Sequence, residues 1–223
     1  MGTGIRSETR RGRIFHDRQD AGEALATELE RYRGTDALVL GLPRGGLPVA
    51  AEVARRLSAE LDVLVSRKLG SPVSGELAIG AVTADGERFL NDDVIAGLAV
   101  SEAYVTAVTK VQRVEAQRRE ARFRGDRPRP RMAGRTVILV DDGLATGATV
   151  RAAVRSARKA KPARLVVAVP VGSREACAAL RPEVDELVCL YEPPDFMAVG
   201  HWYERFDQVE DDEVKRILDQ SWH

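Results

Sequence analysis

Apolar residues along this chain follow two rhythms. Ala37 to Gly41, Val137 to Val140, Leu165 to Val169 and Glu186 to Leu190 are runs of neighbouring apolar positions, with a further run from Asp62 to Ser66. Such unbroken runs are the mark of strands buried on both faces of a parallel sheet. Between them the pattern turns helical: Asp20 to Tyr32, opened by Asp20 with Glu23 and closed by Gly34; a stretch ending near Ala59; one ending near Phe123 with a break near Gly97; one ending at Lys161; and one starting at Ser173. Asp20 and Glu23 have capping-box spacing, and glycine after a helix is a common stop. Alternating strands and helices predict an α/β domain with a parallel sheet.

Three segments depart from that alternation. Met1 to Arg13 is polar and Arg-rich without apolar period, which predicts a loose tail. Arg67 to Leu90 is rich in Gly and Ser, and Ile79 to Thr83 and Arg88 to Leu90 read as the arms of a hairpin around Asp85-Gly86. Tyr191 to Asp207 carries Pro, Gly and aromatics, followed by a short helix over Asp212 to Asp219. The domains expected are therefore a tail over 1–13, a core over 14–190 that includes a lid at 67–90, and a C-terminal segment over 191–223.

The densest chemical signal follows the strand Val137 to Val140. Asp141 and Asp142 stand at its carboxyl end, and Gly143-Leu-Ala-Thr-Gly-Ala-Thr149 then opens a helix. Ligands of open α/β sheets sit at that end of the strands. Small residues entering a helix expose backbone N–H groups to a phosphate, and two carboxylates ahead of them suit the hydroxyls of a ribose. Phosphate and ribose on adjacent residues describe a 5-phosphoribosyl group. A second loop, Leu42-Pro-Arg-Gly-Gly46, also joins a buried strand to a helix, and its Arg44 is a forked cation beside two glycines that permit close backbone approach.

Composition narrows the classes. Lys plus Arg and Asp plus Glu are both 34, so the chain has no general attraction to nucleic acid or anionic membrane. No apolar run is long enough for a bilayer and no signal peptide is evident, which predicts a cytoplasmic protein. Cys177 and Cys189 sit among apolar residues and read as reduced core residues, not a disulfide or metal site; His16, His201 and His223 are too scattered for a metal cluster. Neither glycine loop has the dinucleotide fingerprint, which argues against a nicotinamide oxidoreductase.

The stretch Val137 to Thr149 resembles the signature of the type I phosphoribosyltransferases: an apolar strand, two acids, and a small-residue loop ending in Thr or Ser. Gly143 departs from it, since a larger aliphatic residue is common there. The resemblance extends over most of the chain to uncharacterised members of that family. It implies transfer of the phosphoribosyl group of 5-phosphoribosyl-1-pyrophosphate to a nitrogen nucleophile with release of pyrophosphate. Asp141 and Asp142 would hold the ribose hydroxyls and stabilise a cationic transition state. Ala145, Thr146, Gly147, Ala148 and Thr149 would bind the 5′-phosphate. Leu42, Pro43, Arg44, Gly45 and Gly46 would bind pyrophosphate, in the family often through a non-proline cis peptide, with Arg67 and Lys68 as further cations.

The same resemblance implies a flexible hairpin lid over Leu69 to Glu87, a small hood, and Mg2+ bound mainly through substrate oxygens, with no dedicated protein metal site. Ala145 occupies the position at which 6-oxopurine enzymes carry an Asp, which argues against hypoxanthine or guanine as acceptor. Two segments compete for the hood: Phe15-His16-Asp17, and Pro193 to Tyr203, where Phe196, Trp202 and Tyr203 could stack on a base or simply pack. Ile95 to Val114 could form a homodimer interface or cover the sheet. The alternative function is a ligand-sensing regulator that binds RNA or DNA: Arg113 to Arg135 holds nine Arg against Glu115, Glu120 and Asp126.

Overall fold

The computed structural model describes residues 14–75 and 77–222; the expected tail at 1–13 and His223 lie outside the described residues. In chain order the elements are α1 (Arg18–Glu28), β1 (Ala37–Gly41), α2 (Gly46–Leu57), β2 (Glu60–Val63), β3 (Ser66–Gly70), β4 (Ala78–Thr83), β5 (Arg88–Leu90), α3 (Asp92–Gly97) and α4 (Glu102–Arg124). The second half adds β6 (Thr136–Val140), α5 (Ala148–Lys159), β7 (Arg164–Val171), α6 (Arg174–Leu180), β8 (Glu186–Tyr191) and α7 (Asp211–Ser221).

The main sheet is parallel, in the order β2-β1-β6-β7-β8. Side chains alternate across it, so the unbroken apolar runs feed two cores. Val39, Ile138 and Val166 join Val49 and Val53 of α2 on one face. Leu38, Leu139 and Val167 join Val150 and Val154 of α5 on the other. Gly41 of β1 lies beside Val140 of β6 in register, so the two loops picked out in the sequence leave the sheet side by side.

A smaller antiparallel sheet, β3-β4-β5, stands apart from the main one. Its β4–β5 hairpin has the arms the sequence predicts, and Gly86 takes the positive φ (96°) its turn requires. Leu69, Ile79 and Val82 bury against Val105 of α4. The far end of α4 is fastened to β2 by Arg124, fully inside the molecule, which donates to Asp62 at 2.9 Å and to the Val63 carbonyl at 3.0 Å.

Several expected boundaries are corrected. Helix α1 is capped by Asp17, not Asp20: its carboxylate accepts from the Gln19 and Asp20 amides at 3.0 Å. The strand expected over Asp62 to Ser66 is divided between two sheets, since β2 ends at Val63 and Ser66 already begins β3. Arg67 and Lys68 are consequently strand residues, not loop residues, and the hairpin is the outer part of a three-stranded sheet. The helical break near Gly97 is real, with Ser101 capping α4 anew.

Candidate active site

The site forms where β1 and β6 end together. The Leu42 amide donates to the Val140 carbonyl at 2.9 Å, which ties the first loop to the strand that delivers the acids. Gly46 then donates back to the Leu42 carbonyl at 3.0 Å and α2 begins. The Pro43–Arg44 peptide bond is cis. Glycine is required here by contact rather than by φ: a β-carbon on Gly45 would lie 1.9 Å from Asp142 Oδ2, and one on Gly46 2.7 Å from the Val140 carbonyl. The first loop therefore rests directly on the acidic pair.

Asp141 and Asp142 share a poorly solvated pocket. Asp141 Oδ1 accepts the Asp142 amide at 2.9 Å. Burial, then the neighbouring Asp142 charge, pushes the Asp141 carboxyl well above its usual range. Burial pushes Asp142 up too, against the opposing pull of the Arg18 guanidinium. Arg18 Nε donates to Asp142 Oδ2 at 2.9 Å with both side chains largely covered. That guanidinium is itself held by the Asp207 carbonyl at 2.7 Å and stacks 3.9 Å from the centre of the Phe206 ring. Sequence reasoning missed Arg18, because no local spacing connects it to residues more than a hundred positions away.

Beyond the acids, the loop from Gly143 to Gly147 leads into α5, whose first residues are Ala148 and Thr149. Gly147 precedes the helix with φ of 75° and offers no side chain to cap the first-turn amides. Ala145 and Thr146 are exposed, whereas Leu144 is fully buried and anchors the loop. Its amide donates to Val171 and its carbonyl accepts from Ser173, both at 2.8 Å, and the Ser173 hydroxyl donates to the Ala145 carbonyl at 2.8 Å. Ser173 was read in the sequence only as a helix start; it also braces this loop.

The two segments expected to compete for the hood form one unit. The Phe15 amide donates to Trp202, and Glu204 returns a bond to Phe15, each at 2.8 Å. Tyr203 is packed rather than open: it is 6% exposed, its ring lies 5.7 Å from Phe15, and its hydroxyl donates to the Asp142 carbonyl at 2.6 Å. Burial and the Asp142 charge push its phenol up. Phe196 and Trp202 are partly buried against the same cluster. Gly143 is explained here as well, since a β-carbon would lie 2.5 Å from Val199; the C-terminal segment supplies the aliphatic group missing from the loop.

The expected cations lie on the other side. Arg44 pairs with Glu210 at 3.2 Å, just ahead of α7. Arg67 donates to Gln112 of α4 at 3.1 Å. A cavity of about 520 Å³ lies between β3 and α4, with Pro43, Arg67, Lys68 and Thr149 among its lining residues. The Arg-rich stretch is largely paired within the fold: Arg118 and Arg119 with Glu115, Arg122 with Asp211 and Asp212, Arg124 with Asp62, Arg129 with Glu120, and Arg135 with Asp36 and Glu60. Cys177 is buried and Cys189 partly so; both are free thiols, and with Glu192 they form a close group.

A parallel α/β sheet with an acidic pair and a small-residue loop at its carboxyl edge defines the type I phosphoribosyltransferase fold. A family model described as the phosphoribosyl transferase domain matches residues 13–205, and the chain belongs to that family. Proteins from two strains of Mycobacterium tuberculosis, provisionally named phosphoribosyl transferase, are 49% identical over 209 residues, covering 94% of this chain. The chain spans 47% of the length of those relatives. The crystal structure of TT1426 from Thermus thermophilus is 44% identical and superposes with a TM-score of 0.78, covering 94% of this chain and 99% of that one. A hypothetical protein from Neisseria gonorrhoeae, solved with bound ppGpp, shares the fold at 16% identity and a TM-score of 0.52, covering 96% of this chain and 99% of that one.

Proposed function

We propose that this chain transfers the phosphoribosyl group of 5-phosphoribosyl-1-pyrophosphate to a nitrogen nucleophile, a nucleobase other than a 6-oxopurine, and releases pyrophosphate. The observation that carries this reading is the contact of Gly45 with Asp142, which sets an anion-binding loop against a ribose-binding acid pair. In the reaction the C1′–O bond to pyrophosphate breaks, the C1′–N bond forms, and the acceptor nitrogen loses its proton. Asp141 and Asp142 hold the 2′ and 3′ hydroxyls and oppose the positive charge that develops on the ring. Backbone amides and hydroxyls from Ala145 to Thr149 hold the 5′-phosphate. Leu42 to Gly46, Arg67 and Lys68 hold the pyrophosphate.

The carboxylate oxygens of Asp141 and Asp142 are hard donors that suit Mg2+, which when bound through substrate oxygens neutralises pyrophosphate charge. The segment over 67–90 serves as the lid that keeps water from the reacting carbon. On the acceptor side, Phe196 and Trp202 form the hood wall with Tyr203 beneath them, next to Asp142. Free thiols support a cytoplasmic setting, and among the described residues no helix is long and apolar enough to cross a membrane. Val111 and Val114, exposed on α4, support a homodimer. A regulator that senses the donor and binds RNA or DNA draws less support, because six of the nine arginines that suggested it are engaged by acids of the fold.

Calorimetric titration with 5-phosphoribosyl-1-pyrophosphate and Mg2+, followed by a panel of bases assayed for pyrophosphate release, tests this. Binding with base-dependent release is the expected result and names the acceptor. Binding without release would favour the sensor, and no binding would overturn the assignment.

A further inference from the structure

The cavity between β3 and α4 is lined by Arg67, Lys68 and Arg119, and among the described residues by no carboxylate. Arg119 comes from neither signature loop. It sits on α4, a helix that the sequence marks only as a cover or an interface. Its nearest acid, Glu115, lies 3.3 Å away but is already engaged by both Nε and Nη2 of Arg118, at 2.9 and 3.0 Å. Arg67 leans on the neutral Gln112. The cations crowd one another: Arg67 is held below its usual range first by burial, then by the nearby charge of Arg119; Glu115 opposes this, and Arg118 and Arg44 add to it. Guanidinium groups gathered around a cavity of about 520 Å³ repel one another unless a multiply charged anion lies between them.

We infer that Arg119 of α4 is a third cationic wall of the pyrophosphate subsite, so that the leaving group is gripped from the small sheet and from the long helix as well as from the loop at Pro43–Arg44. This rests on the proposed transferase reading and adds a substrate-binding residue to it. Planar guanidinium groups suit the oxygens of a diphosphate. Helix α4 thereby gains a function. Arg124 anchors its end to the core, and Arg119 is displayed a little more than one turn earlier.

The test is calorimetry of the full chain with inorganic pyrophosphate, ribose 5-phosphate and 5-phosphoribosyl-1-pyrophosphate, each with Mg2+. Arg119→Gln should weaken pyrophosphate and the full donor by about tenfold, the scale of one lost charged contact, and leave ribose 5-phosphate within about twofold. Glu115→Gln removes the same ion pair but keeps the cation, so it should bind pyrophosphate like the unaltered protein. Undiminished pyrophosphate binding by Arg119→Gln would overturn the inference. So would an equal loss in Glu115→Gln, since Arg119 would then act only by bracing α4. If the unaltered chain binds none of the three, the transferase reading itself fails, which is a different result from binding that ignores Arg119.

Discussion

Gly45 and Asp142 occupy adjoining volumes: the hydrogen of one stands where any larger group would strike the carboxylate of the other, 1.9 Å from a notional β-carbon. Asp142 cannot simply swing away, because Arg18 holds the same oxygen at 2.9 Å. Gly45→Ala should therefore displace the acid or the loop by about an ångström. Misplacement on that scale costs roughly a hundredfold in turnover. The check is kcat/KM for pyrophosphate release, with circular dichroism to show that the fold persists. Unchanged turnover would show that the loop and the acids do not act together.

Burial raises both acids, and the Arg18 guanidinium opposes that rise, chiefly at Asp142. The groups facing Asp142 are Asp141, Arg18 and the Tyr203 hydroxyl, and only Arg18 is positive. Donor binding needs the carboxylates ionised, so it weakens as pH falls through their raised pKa values. Removing the guanidinium raises Asp142 further. Arg18→Met should accordingly move the acid limb of the binding profile to higher pH, by about one unit for the loss of one partly buried partner. A titration of donor affinity between pH 5 and 9, a range of about four units around neutrality, reads this directly; a limb that stays in place would remove Arg18 from the site.

Burying Asp141 also has a stability consequence. Its folded-state pKa is raised, so between the unfolded and folded values the native state binds more protons than the unfolded state. Stability from this group is therefore greatest below the unfolded value and falls as pH rises through the folded one. Above the folded value the buried charge opposes folding. Asp141→Asn keeps an oxygen for the Asp142 amide and should raise the thermal midpoint, by about 1 kcal/mol of stability. Asp141→Asn with Asp142→Asn should weaken donor binding and abolish transfer without unfolding the chain. A double variant that binds the donor normally would remove the acids from the ribose site.

Much of this was legible because it is local. Val137 to Thr149 carries strand, acids, loop and helix start in one stretch, and a double-faced sheet leaves an unmistakable apolar run. The misreadings share a cause. Leu64 and Val65 continue the apolar run of β2, so periodicity alone did not show that the chain leaves one sheet there and enters another at Ser66. Arg18, Ser173 and Arg119 carry no local pattern that points to a site; tertiary contact alone brings Arg18 to Asp142, Ser173 to the loop at Ala145 and Arg119 to the cavity. The rivalry between the N-terminal and C-terminal hood segments was unresolvable for the same reason, since their pairing spans nearly the whole chain.

The departure at Gly143 makes a compensating pair with Val199, whose side chain would lie 2.5 Å from a β-carbon at that position. Gly143→Leu should push the turn at Val199–Trp202 outward and, through Tyr203, disturb Asp142. Overpacking of this kind costs about 1–3 kcal/mol. Adding Val199→Ala should restore much of that loss, giving a coupling measurable in a double-mutant cycle. Independent effects would mean that the C-terminal segment is not seated on the loop as described.

The ion pair of Asp62 and Arg124 answers whether α4 depends on charge or on packing for its attachment. Both side chains are 6% exposed. Burial pushes Asp62 up, and the Arg124 guanidinium only partly opposes this, so a charge held here works against desolvation. Arg124→Met should leave that acid unpaired inside the molecule and cost about 3–5 kcal/mol in urea unfolding. Arg124 also pairs with Glu120 at 2.8 Å, which keeps Arg129 as a second partner, so Asp62→Asn combined with Arg124→Met removes the buried pair and should recover part of the loss. If the double variant is as unstable as Arg124→Met alone, the geometry of Arg124, including its bond to the Val63 carbonyl, fastens α4 rather than its charge. Pyrophosphate affinity should then fall in step with stability, since the same helix carries Arg119 into the cavity.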